Sequence, residues 1–288
     1  MSLGRIEDDK LERVRLLASF ILFLPLAAAG QQGSAHGDEA LVKRALANEI
    51  RMARDAQHPM RFRLRKSSPA LTSTKEVYET KDGAIAHLIA VNDSPLSAAD
   101  EQKEQARLAD LLNDPGEQRR RKQEEEKDAA RAMKLVRLLP TAFLYHYTGT
   151  GKAAGGEVEK FAFTPNPKFD PPDLESEAMT KMTGEIWIDI AQERVARLEG
   201  HLQEDVDFAW GILGRLNKGG WVVLEQEDVG DHQWRIVHFK MAVSGRVVFK
   251  TKVFDTNIDE TQFAPLPVGL SYQKAIQMMQ TETAKQTP

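Results

Sequence analysis

The chain has no cysteine among its 288 residues. That excludes disulfides, thiolate metal sites and a cysteine nucleophile. It also excludes the acylated cysteine of a bacterial lipoprotein, because Gln31 follows the small residues Ala28-Ala29-Gly30. There is no strong excess of either charge: 39 basic and 43 acidic residues leave a formal charge of -4. Nucleic-acid-binding domains usually carry net positive charge, so no nucleic-acid partner is expected. No apolar run reaches the ~20 residues that a membrane-spanning helix needs. Neither G-x-S-x-G nor H-E-x-x-H occurs, and the histidines at 36, 58, 87, 146, 201, 232 and 238 never stand four apart. No catalytic set, metal site or cofactor site is therefore expected.

The longest apolar run is Leu16 to Ala29, 14 residues, preceded by Lys10, Arg13 and Arg15 and ending in small residues. A positive flank, a short apolar core and a small-residue exit describe a secretory signal peptide. The expectation is a leader over 1–29, cleaved on export, with no transmembrane segment after cleavage. The remaining 30–288 is expected to form one domain of a periplasmic or secreted protein.

In that remainder, Asp38 caps a helix read over 39–56, with Val42, Ala45, Leu46, Ile50 and Ala53 at helical spacing. The period then falls to two. Met60, Phe62 and Leu64 alternate with Arg61, Arg63 and Arg65, as in a half-buried antiparallel strand. Strands are read over 74–80 and 84–91, with Asp82-Gly83 supplying the positive φ of a tight turn. Residues 97–139 break this pattern, with 10 acidic and 10 basic side chains and one glycine, Gly116. They are read as a charged α-hairpin, helices over 98–113 and 117–139, inserted between strands. The hairpin serves either as a protein-partner surface or as a solvated cover on the sheet. Strands then follow in a meander: 185–190, 194–202, 221–228, 233–243 and 246–254. A last helix is read over 271–280. Segregated strands with few crossover helices mean an α+β fold with an antiparallel sheet.

Two motifs that resemble catalytic signatures are rejected. Gly149-Thr150-Gly151-Lys152 lacks the upstream glycine and the following Ser or Thr of a phosphate loop. Ser271-Tyr272-Gln273-Lys274 has the S-x-x-K spacing without its companion motifs, and Ser271 reads as a helix cap. Asp205 and Asp207 could accept a cation, but a hard cation wants about six oxygens.

The segment Gly184-Glu185-Ile186-Trp187-Ile188-Asp189, then Val195-Ala196-Arg197-Leu198-Glu199-Gly200, with Phe249-Lys250-Thr251 in a late strand, resembles the periplasmic lipoprotein-carrier superfamily. These are the LolA/LolB-like proteins, related to RseB-type sigma-factor regulators. The resemblance covers about 140–262, more faintly 40–96, and does not include the charged helical pair. It implies an unclosed antiparallel β-barrel, a LolA-like half-barrel, with an N-terminal helix and a short lid over an apolar cavity. The expected ligand is a lipid or the acyl chains of a lipoprotein. The expected function is that of an exported, non-enzymatic carrier or binding protein in the cell envelope. The alternative is an envelope interaction or sensor module that uses 97–139 as its contact surface. Candidate cavity residues are Phe62, Leu64, Ile186, Ile188, Ile190 and Leu198. The candidate lid holds Phe208, Trp210, Ile212 and Leu213, an apolar stretch weakened as a helix by Gly211 and Gly214.

Overall fold

A computed structural model describes residues 38–53, 57–208, 214–247 and 250–286. The leader over 1–29 and lid residues Trp210, Ile212 and Leu213 lie outside them. Among the described residues thirteen strands form one sheet, every pair antiparallel. In chain order these are β1 (Met60–Ser67), β2 (Thr72–Tyr78), β3 (Ile85–Val91), β4 (Ser94–Pro95), β5 (Phe143–Ala153), β6 (Gly156–Pro165), β7 (Met182–Asp189), β8 (Arg194–Leu202), β9 (Val206–Phe208), β10 (Gly214–Leu216), β11 (Trp221–Asp228), β12 (Trp234–Val247) and β13 (Lys250–Pro265). The helices are α1 (Glu39–Met52), α2 (Ala98–Asn113), α3 (Pro115–Ala142), α4 (Leu174–Glu177) and α5 (Tyr272–Gln286).

The main strand order is β4-β3-β2-β1-β13-β12-β11-β8-β7-β6-β5, so β4 and β5 are the two edges and the sheet does not close. The β1–β13 pairing joins the first strand to the last and makes one continuous surface of two meanders. The fold is α+β, an open antiparallel sheet with helices packed on it. The segment read as a lid has strands at both described ends: β9 and β10 pair with each other, and β10 continues onto β12.

The helices cover the two faces of the sheet at opposite ends. Side chains alternate across a strand. Phe62 and its cross-strand neighbour Val77 look one way, and Arg61 and Tyr78 the other. On the Tyr78 side, α2 and α5 bury Tyr78, Ile85, Leu108, Leu111, Ile276 and Met279 in one cluster. On the Phe62 side, α1 and the C-terminal part of α3 cover β5–β8, burying Leu41, Val42, Leu46, Phe161, Ile186 and Ile188. Local chemistry sets the ends of the helices. The Asp38 carboxylate accepts from the Ala40 N–H and caps α1. Asp114 closes α2 and caps α3 by accepting from the Glu117 N–H, with Pro115 in the first turn of α3.

The charged helical pair is packed onto the sheet rather than projecting as an arm. At 28 residues, α3 is about 42 Å long. Its first turns reach the β2–β3 turn. There Gln118 Nε2 donates to the Asp82 carbonyl (2.7 Å) and Lys122 Nζ to the Lys81 carbonyl (2.9 Å). The Ala84 N–H donates to Glu125 Oε2 (3.1 Å). At its other end Leu135, Leu138 and Leu139 pack on the α1 cluster. The helix thus runs as a strap from one side of the open sheet to the other.

Candidate functional site

Beneath the strap lies a cavity of about 290 Å³. Its floor is the Phe62 face of five strands: Phe62 of β1, Phe263 of β13, Ile236 of β12, Leu224 of β11, and Val195 and Leu198 of β8. Its roof comes from α1, through Leu46 and Met52, from Ala53 that follows it, and from α3, through Met133, Leu135, Val136 and Leu139. One cavity touching both β1 and β8 means that the sheet curls around it. The volume is near the lower end of the ~300–1,000 Å³ of small-molecule sites, and the walls are mostly hydrocarbon, as such sites are.

Four of the five charged side chains at the cavity form two ion pairs, and the fifth is Glu260 of β13. Arg194 donates through Nε and Nη2 to the two oxygens of Glu49, at 2.8 and 2.9 Å, and the Val195 N–H adds a third bond to that carboxylate. Glu49 reaches the site because α1 lies on the start of β8. Arg235 donates to both oxygens of Glu79, at 3.0 and 3.2 Å, and to the His58 carbonyl at 2.7 Å. Glu79 also accepts from the Met60 N–H. Burial pushes the Glu79 carboxyl above its ordinary value, against the pull of Arg235. Gln226 donates to the Val195 carbonyl, and Trp234 Nε1 to Gln192. Each guanidinium therefore has a carboxylate of its own, and neither stands ready as an anion receptor. The arrangement can hold an apolar chain.

The structure separates the residues singled out in the sequence. Phe62 and Leu198 line the cavity. Leu64 lies on the same face, two residues further along β1, and is half-buried without reaching the lining. Ile186 and Ile188 are fully buried in the core cluster beneath α1, so their burial is already used by the fold. Ile190 falls beyond the end of β7, in the turn that follows, and is half-buried. Phe208 belongs to β9, the hairpin at the far end of β12. Trp187, on the opposite face from the isoleucines, is half-buried, with Lys160 Nζ 3.9 Å from its ring centroid and its Nε1 donating to Glu185.

The other motifs have structural partners. Arg215 binds both Asp205 and Asp207, so both carboxylates already have a cationic partner. Ser271 accepts from the Lys274 N–H as a helix cap. His87 is buried under α2 with Glu101 at 3.5 Å. Among the described residues no group of three His, Asp or Glu side chains is placed to hold a metal. Among them also, no helix is long and apolar enough to cross a membrane. The roof residues Leu135, Val136 and Leu139 belong to an apolar stripe visible in the sequence. Their role as a roof is set by where α3 lands, which that stripe does not encode.

No protein-family model and no curated protein matches the chain. Among solved structures, it is similar to the crystal structure of a "putative outer membrane lipoprotein-sorting protein domain" from Vibrio parahaemolyticus. The two are 11% identical, the alignment covers 82% of this chain and 98% of that one, and the TM-score is 0.29. What the cavity can hold is therefore read from its own walls.

Proposed function

We propose that the protein is a non-enzymatic carrier or binding protein that holds one apolar chain, of a lipid or of a lipoprotein, beneath α3. The observation that carries this reading is the cavity of about 290 Å³, walled by aliphatic and aromatic side chains from β1, β8, β11, β12, β13, α1 and α3. A chain placed there leaves water. Each methylene gains about 0.8 kcal/mol, so about ten carbons bring roughly 8 kcal/mol before the cost of ordering them. The paired guanidiniums leave the polar end of the ligand to solvent or to the mouth of the cavity. The leader read over 1–29 supports export, and with it a role in the cell envelope. Phe62 and Leu198 are the proposed contacts among the residues named from sequence.

The test is displacement of a naphthylamine fluorophore by decanol and by a short-chain diacylglycerol. Wild type is expected to bind the probe with a blue-shifted emission and to release it to either competitor. Leu198→Trp fills the cavity from the floor, and Val136→Phe fills it from the roof. Both should abolish probe binding while each variant still melts cooperatively. Probe binding that survives both substitutions would remove the cavity from the account.

A further inference from the structure

We propose that the outward crest of α3 docks the protein on an anionic lipid surface. At 100° per residue, Arg119, Arg120, Lys127, Lys134 and Arg137 fall within one sector of the helix. All five are exposed, and that sector contains no carboxylate. The acidic residues sit to either side. Glu117, Glu124 and Asp128 occupy one flank, where Glu117 pairs with Arg120 and Glu124 with Lys127, each at 2.8 Å. Lys134 leans to Asp173, and Glu126 lies exposed on the other flank. Arg119 and Arg137, at the two ends of the crest, have no carboxylate partner among the described residues. The row is ~27 Å long at 1.5 Å per residue.

Three features point to lipid phosphates as the partner. First, the chain carries a formal charge of -4, so a row of cations on one helix is a local reversal of sign. Arginine forks match phosphate oxygens in geometry as well as in charge. Second, a protein interface is anchored by buried aromatic or aliphatic side chains. Besides the cations, the exposed residues of the crest are only Gln123, Ala130 and Thr141, and Leu138, at the same angle as Arg120, packs on the α1 cluster, so the face suits a diffuse anionic surface. Third, α3 is held on both sides, by the β2–β3 turn and by the α1 cluster, so the row is rigid. The underside of the same helix roofs the cavity. Docking by the crest would bring the cavity to a store of apolar chains; this last step rests on the proposed carrier role.

The test is co-sedimentation of the full chain with vesicles of phosphatidylcholine alone and of phosphatidylcholine with about a third phosphatidylglycerol. Binding is expected only to the anionic vesicles, and it should disappear near ~0.5 M salt, where charges are screened within a few ångströms. Arg119→Glu with Arg137→Glu should weaken it by at least ~tenfold, whereas Arg246→Glu, at an exposed position of β12, should not. Circular dichroism melts show that each variant is folded. Equal binding to neutral vesicles, or full binding by the double variant, would overturn the proposal. So would binding to soluble polyglutamate without binding to anionic vesicles, which would assign the crest to an acidic protein. The naphthylamine assay is run on the same samples without vesicles. Vesicle binding by a protein that takes no probe would refute the carrier role and leave the docking face standing.

Discussion

Replacing Glu125 by glutamine removes a charge that α3 buries against the β2–β3 turn. Burial is the main reason the Glu125 carboxyl is pushed up to about 7; the Ala84 N–H that it accepts works against this. Glu79 and Glu126 add to the rise, and Lys122 opposes it. Between the ordinary value of 4.5 and about 7, the folded chain holds this proton more tightly than the unfolded chain does, by roughly 3 kcal/mol. The sign follows from linkage. The stabilisation is complete below 4.5, declines as the pH rises toward 7, and is gone above it. Glutamine keeps an oxygen for the Ala84 N–H and has no charge to bury. Glu125→Gln should therefore match wild type near pH 4.5 and exceed it by roughly 3 kcal/mol near pH 8. Glu79, also pushed up by burial, contributes in the same direction and remains in both proteins, so the difference reports Glu125 together with its coupling to Glu79. Urea unfolding of both proteins at intervals across this pH range measures it. Parallel stability curves would mean that the carboxyl is not buried under α3, and the strap would lose one of its three contacts with the turn.

Two further substitutions test the core and the cavity rim. Ile188→Asp places a charge in the fully buried cluster under α1 and should cost several kcal/mol, read as a large fall in melting temperature; a melt like wild type would put Ile188 on the wrong face. Glu49→Ala strands Arg194, whose side chain is 7% exposed, and should cost about 3–5 kcal/mol in urea unfolding. Glu49→Ala with Arg194→Met should recover most of that, and a single variant costing under ~1 kcal/mol would show the pair to be solvated.

The sheet was largely legible because its signal is local. Alternation at 60–65 gave β1 and its inward face, and Phe62 does look into the cavity. Leu198 was named from the resemblance carried by 195–200, and it too lines the cavity. Ile186, Ile188 and Ile190 were not separable by period. They alternate identically in sequence, yet the first two are packed under α1 and the third lies past the end of β7. A bulge also interrupts the β7–β8 register: Trp187 faces Arg197 and Ile188 faces Val195, leaving Ala196 as the extra residue. Nothing in a strand's own period reports which helix will cover it. The contacts that settle this, Glu49 with Arg194 among them, link residues 145 apart.

The charged pair at 97–139 shows how composition can conceal a docked face. Ten acids and ten bases over 43 residues average to a solvated surface. Taken by angle around the helix, the same residues divide. Gln118 and Glu125 turn to the sheet, Val136 and Leu139 roof the cavity, and the cations of the crest turn outward. The sequence carries half of the matching signal on the sheet side. Asp82-Gly83 reads as a tight turn, and Gly83 does sit at φ +95°. The other half concerns space. A Cβ at Gly83 would stand 3.0 Å from Glu125 Oε2 and 3.1 Å from Lys122 Cβ, so this glycine is also where α3 lands. A turn signal and a landing site require the same residue for different reasons. Only the fold, by bringing residue 83 to residue 125, distinguishes them.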